Sequence, residues 1–89
     1  MEPNLRDEAI LKFLAEKEIA LPPTPLYENL RLEGATFSQR TVKRRLKLLE
    51  DHGYVERILG QQGYYQITDK GRAYLAGDLD AEELENNEE

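Results

Sequence analysis

The sequence has no cysteine and a single histidine, His52. Without a thiol there is no disulfide framework, no cysteine nucleophile and no thiolate zinc site, and one imidazole cannot complete a Cys/His metal centre. No nucleophile, base and oxyanion donor can be assembled around one histidine, so the chain reads as a non-enzyme with no metal and no cofactor. No apolar run approaches the roughly 18 residues of a membrane span. The opening residues Met1-Glu2-Pro3-Asn4 are acidic and polar, unlike a secretory signal. Together with the missing thiols they suit a cytoplasmic protein.

The most informative absence is of acid. Residues 34–49 contain no Asp or Glu, although the chain has 18 of them and a formal net charge of −6. The same sixteen residues hold Arg40, Lys43, Arg44, Arg45 and Lys47, five of the 12 Lys and Arg. A chain that is negative overall and gathers positive charge on one short segment is expected to meet an anionic partner there. The far end is the reverse: residues 78–89 carry seven acids and no base, which leaves residues 1–77 with a net charge of +1. Eighty-nine residues make one domain, expected over residues 4–77, followed by an acidic tail at 78–89 that is partly helical or disordered. Such a tail can be merely solvated, can repel non-specific nucleic acid, or can be an adaptation to high salt, since only five of the 12 bases are Lys.

The order of elements follows from caps and periodicity. Asn4 suits the cap of a first helix, with Asp7 and Glu8 in its positive first turn. Ile10, Phe13 and Leu14 recur at helical spacing, with Leu5 near the start. Pro22-Pro23 ends that helix, and Thr24-Pro25 reads as cap and first position of a second helix whose apolar side is Leu26, Tyr27 and Leu30. Gly34 closes it or opens the next turn. Ser38 caps a third helix, predicted over residues 39–52, with Phe37 and Val42 at the spacing of a hydrophobic staple. Gly53 ends it. Residues 54–59 and 64–68 are rich in aromatic and β-branched types and flank Gly60-Gln61-Gln62-Gly63, the pattern of a β-hairpin with Tyr65 and Ile67 facing the core. Which of Tyr54, Val55, Ile58 and Leu59 are buried is not set by strict alternation. Thr68 or Asp69 caps a last helix containing Ala73, Tyr74 and Leu75, with Gly77 at its end and Leu79 and Leu84 as an amphipathic continuation. Helix, helix, helix, hairpin, helix is a winged helix-turn-helix arrangement, mainly α with a small β-hairpin.

The third helix carries the chemistry. Val42, Leu46 and Leu49 define its buried side. With Val42 at zero on a wheel of about 100° per residue, Lys43 falls at roughly 100°, Lys47 at 140°, Arg40 at 160° and Arg44 at 200°. These four cations form one exposed stripe. Arg45 falls at roughly −60°, beside the seam, where it is expected to pack its stem and pair with an acid. The layout suits double-stranded DNA: Lys43 and Lys47 on phosphates, Arg40 and Arg44 bidentate on guanine, Gln39 bidentate on adenine, and Thr41 on a phosphate or a thymine methyl, with Ser38 at the helix entry. A charged helix face is more often only solvated, and Glu50 or Asp51 can neutralise Lys47. Lys43 and Arg44, however, have no acid within four positions toward the N-terminus, and such a row repels itself. In the wing, Gln61 and Gln62 can contact a phosphate or the minor groove or simply face solvent, and Arg57 at its root is the nearest base. Tyr64 is expected to pack on the hairpin, with contact to a sugar as the alternative, and His52 to have a structural role at the helix terminus.

Residues 38–57, ending in Leu49-Glu50-Asp51-His52-Gly53-Tyr54-Val55-Glu56-Arg57, resemble the recognition helix and first wing strand of archaeal winged-helix regulators. Residues 63–80 are similar to their second wing strand and last helix, and Leu21-Pro22-Pro23 fits the approach to the second helix. The group resembled is the small repressor family of halophilic archaea and their viruses, of the phi-H phage repressor type. That resemblance implies sequence-specific DNA binding by a repressor, usually as a dimer. The first and last helices are the candidate surfaces of a homodimer, through residues such as Phe13, Tyr74 and Leu75, each of which could equally be plain core. Two features depart from it: the wing tip has no base, and residues 31–37 exceed a minimal turn. In a cell holding molar salt the Debye length is about 3 Å, so binding would rest on direct contacts by Arg40, Arg44 and Gln39. The alternative function is a protein-interaction winged helix whose basic stripe meets an acidic protein surface. An RNA-contacting domain would need exposed aromatics on a sheet.

Overall fold

The computed structural model describes residues 2–58 and 63–77. Within them lie α1 (Leu5–Lys17), α2 (Pro23–Leu32), α3 (Gln39–Asp51), β1 (Val55–Arg57), β2 (Tyr65–Ile67) and α4 (Asp69–Leu75). The two strands are antiparallel, with Val55 opposite Ile67, Glu56 opposite Gln66 and Arg57 opposite Tyr65. α1 is central and packs against α2, α3, α4 and β2. A helix with neighbours on several sides needs a wide apolar face. Leu11 therefore joins Ile10, Phe13 and Leu14 in the core, while Leu5, expected near the start of that face, is 82% exposed.

Local chemistry explains the boundaries. Asn4 and Asp7 form a reciprocal capping box: Asp7 N–H donates to Asn4 Oδ1 at 2.8 Å and Asn4 N–H to Asp7 Oδ2 at 3.0 Å. α2 begins earlier than Thr24-Pro25 predicts. Pro22 is its cap, Pro23 its first residue, and no side chain caps it. Prolines at 22, 23 and 25 remove most of the N–H groups that a cap would serve, so the helix starts without one and Thr24 is released from that task. Just before these prolines, Leu21 forms a single antiparallel bridge to Tyr65, with both backbone N···O distances at 3.0 Å. The proline pair cannot donate, so the pairing stops there.

α3 follows its sequence pattern closely. Ser38 Oγ accepts from Thr41 N–H at 3.2 Å, and Val42, Leu46 and Leu49 are wholly buried. Each such side chain contributes about 1.5–3 kcal/mol on burial, enough together to set which face of the helix looks outward. Gly53 follows the His52 cap with φ +84°, a conformation glycine adopts without strain. The cation at this helix terminus comes from elsewhere in the chain: Lys70 Nζ donates to the His52 carbonyl at 2.8 Å, and His52 itself is exposed.

The strands are shorter than the aromatic-rich stretches around them. Tyr54 precedes β1, so alternation does not govern it, and both Tyr54 and Val55 are buried; Ile58 is half-buried. Thr68 caps α4 and also donates to the Gly53 carbonyl at 2.6 Å, tying the end of the hairpin to the end of α3. The buried Gly71 of α4 sits against this junction. A Cβ there would lie 2.4 Å from the Tyr54 carbonyl oxygen and 2.6 Å from Cγ1 of Ile67. In an open helix Gly→Ala stabilises by about 1 kcal/mol. Here Gly71→Ala is expected to destabilise by about 1–3 kcal/mol, read as a lower midpoint in urea unfolding. A midpoint that rises would show that the α4 junction yields freely.

Candidate nucleic-acid interface

The orientation of α3 is held by one ion pair as well as by its apolar seam. Arg45 Nε and Nη2 donate to Asp7 Oδ1 and Oδ2, each at 2.7 Å. This is the fork-on-carboxylate geometry that fixes direction as well as distance. Asp7 is fully buried, and the Arg45 side chain is 19% exposed. The hydrogen bond and charge of Asp7 hold the Arg45 guanidinium above its ordinary pKa, against a desolvation that lowers it. The residue that the helical wheel puts beside the seam thus pairs across 38 positions with the capping acid of α1.

With Arg45 engaged, the remaining cations stand apart. Arg40, Lys43, Arg44 and Lys47 are all exposed, and none forms an ion pair or a side-chain hydrogen bond with another described residue. Glu50, a possible partner of Lys47 on sequence grounds, instead accepts from Arg57 at 3.5 Å. No described acid therefore pairs with the stripe.

The three uncharged candidates behave differently, because each is already hydrogen-bonded. Ser38 Oγ donates to Thr41 Oγ1 at 3.2 Å while accepting from the Thr41 backbone. Gln39 Nε2 donates to Thr24 Oγ1 at 2.5 Å, linking the first turns of α3 and α2. The sequence marks Thr24 only as a helix cap and not as a residue of the interface. The candidate interface thus combines a pre-arranged polar edge at the start of α3 with four cations along it that are unpaired among the described residues.

The wing root is also structured. Arg57 lies 5.4 Å from the Tyr65 ring centroid and donates to the Tyr65 hydroxyl at 3.2 Å, so it is held between the hairpin and Glu50. Tyr64 is 38% exposed rather than packed away. Gln61 and Gln62 lie outside the described residues, as do Leu79, Leu84 and the acidic segment. The turn leading into α3 spans residues 33–38, since α2 runs to Leu32; Ala35 N–H donates to the Leu30 carbonyl at 3.0 Å.

Residues 3–87 match the family described as winged helix-turn-helix phage repressor. The chain belongs to this family. In winged-helix terms, α2 and α3 are the helix-turn-helix and β1–β2 is the wing. Among solved structures, the PhiH1 repressor-like protein from Haloarcula marismortui is similar, with a TM-score of 0.70 and 32% identity over 84% of this chain and 78% of that one. Among curated proteins, none matches. As a winged-helix repressor-family domain the chain is a DNA-binding regulator at the family level, and no described helix is long and apolar enough to cross a membrane.

The candidate dimer contacts differ in their surroundings. Phe13, a candidate dimer contact, is 6% exposed and belongs to the monomer's core. Tyr74 is committed too: its hydroxyl donates to Glu8 at 2.5 Å and its ring meets Tyr54 edge-on at 5.9 Å.

Proposed function

We propose that this protein is a sequence-specific double-stranded DNA-binding repressor that seats α3 in the major groove. The observation that carries this reading is the stripe of Arg40, Lys43, Arg44 and Lys47, exposed and unpaired among the described residues, on the helix that follows the turn. Keeping four like charges on one face without partners costs free energy that a merely solvated face has no reason to bear. In this reading Arg40 and Arg44 take guanine O6 and N7, Gln39 takes adenine, Lys43 and Lys47 take phosphates, and Ser38 and Thr41 line the entry. Gln61 and Gln62 are the wing's candidates for a phosphate or the minor groove, with a solvent-facing turn as the alternative. The residues concerned fall within 4–77, and the setting is cytoplasmic. One domain offers few base contacts, so two copies on two half-sites supply the specificity. The half-buried Leu75 and the outer surfaces of α1 and α4 are the candidate contact, without Phe13.

Salt dependence tests the phosphate contacts. On scrambled duplex DNA, log Kobs against log[salt] should fall with a slope of about −0.9 per phosphate neutralised. Lys43→Ala and Lys47→Ala should each make that slope shallower by about 1 while leaving the ratio of selected-site to scrambled affinity unchanged. A slope indifferent to both substitutions would remove the lysines from the DNA backbone.

A further inference from the structure

We infer that Thr24, which lies on α2 and outside the recognition helix, is a positioning residue for base readout: its hydroxyl holds the Gln39 amide in the orientation that selects a base. This rests on the DNA-binding reading above and goes one residue beyond it.

Thr24 has no local employment. Its side chain caps nothing in α2, where the cap is Pro22. Its hydroxyl oxygen instead receives Gln39 Nε2 across 15 residues, at 2.5 Å. Thr24 is exposed and Gln39 only half-buried, so the bond lies at the rim of the interface, where water could replace it and its worth to folding is small. Its position is what counts, because Gln39 is the first residue of α3 and opens the cationic stripe.

The chemistry of the amide completes the argument. A glutamine amide has two N–H donors and one carbonyl acceptor. With one N–H on Thr24, the other N–H and the carbonyl oxygen remain, the pair that matches adenine N7 and N6 in the major groove. An unheld glutamine rotates about three side-chain bonds, and turning its amide over exchanges donor and acceptor. It can then meet other bases nearly as well. Held, it offers one pattern and loses less rotamer freedom on binding. Thr24 therefore acts on selectivity through Gln39 and leaves the charge contacts alone.

The experiment uses the full chain and fluorescein-labelled duplexes: a site selected from random DNA, its single-base-pair variants and a scrambled control. Gln39→Ala first locates the base pair that Gln39 reads. Thr24→Val keeps the branched shape and removes the hydroxyl; Thr24→Ser keeps the hydroxyl. Thr24→Val should lower the preference at that base pair by about threefold to tenfold, the range of one hydrogen bond. Thr24→Ser should retain the preference, and the salt slope on scrambled DNA and the unfolding midpoint should not change in either variant. Native preference in Thr24→Val overturns the inference, as does a uniform loss on every duplex with a shallower slope, which would place Thr24 itself on a phosphate. So does a Gln39→Ala variant that keeps every preference. If the native chain does not distinguish its selected site from scrambled DNA, the failure belongs to the DNA-reading proposal beneath it.

Discussion

Replacing Asp7 with alanine is expected to lower the unfolding free energy by about 3 kcal/mol, near the lower end of the range for breaking a buried pair. Asp7 makes two kinds of contact at once. Its carboxylate receives both arms of Arg45, at 2.7 Å each, and one oxygen also accepts the Asn4 N–H of the capping box. Loss of a cap alone costs about 1 kcal/mol. The larger part comes from Arg45, whose guanidinium loses both of its carboxylate acceptors while mostly shielded from water. The Arg45 side chain is 19% exposed and can recover some water, which is why the lower end applies. The reverse substitution, Arg45→Met, should cost at least as much, because Asp7 is wholly buried and has no route to solvent. Since small domains are stable by only about 5–15 kcal/mol, either change is a large fraction of the total. Urea unfolding monitored by circular dichroism measures both. A loss below about 1 kcal/mol for Asp7→Ala would mean that the pair does not hold α3 against α1.

The second large effect concerns DNA and leaves the fold untouched. Arg40 and Arg44 are exposed and touch no described acid, so converting both to alanine should leave the unfolding midpoint where it was. Each bidentate arginine–guanine contact carries about 1–3 kcal/mol of discrimination against the wrong base. The double variant should therefore lose about 2–6 kcal/mol of site preference, while Lys43 and Lys47 preserve part of the non-specific affinity. The contrast with Asp7 would separate two roles on neighbouring helices: the acid in positioning α3, and the two cations on its far side in the proposed base readout.

Much of this was legible in the residues themselves. Val42, Leu46 and Leu49 at helical spacing give the buried face, Ser38 gives the start and Gly53 the end, because caps and periodicity are local and the physics acts within one or two turns. The position of Arg45 beside the seam was readable in the same way, but the identity of its partner was not. Asp7 lies 38 residues away and is brought close by packing of α1 on α3. The same holds for Lys70 at the end of α3, for the Leu21–Tyr65 bridge and for Thr24 under Gln39. Each is a meeting of two elements whose angle depends on the whole core. The start of α2 misled for a local reason: Thr24-Pro25 is a good helix opening in general, but Pro22 and Pro23 had already supplied one.

The most direct measurement is fluorescence anisotropy of the native chain and the Arg40→Ala/Arg44→Ala variant, titrated onto a selected duplex and a scrambled one from low to molar salt. The native chain is expected to prefer its selected site, to keep that preference as salt rises, and to lose it in the variant. A native chain that binds neither duplex at any salt would contradict DNA recognition by α3 and turn the basic stripe toward an acidic protein surface.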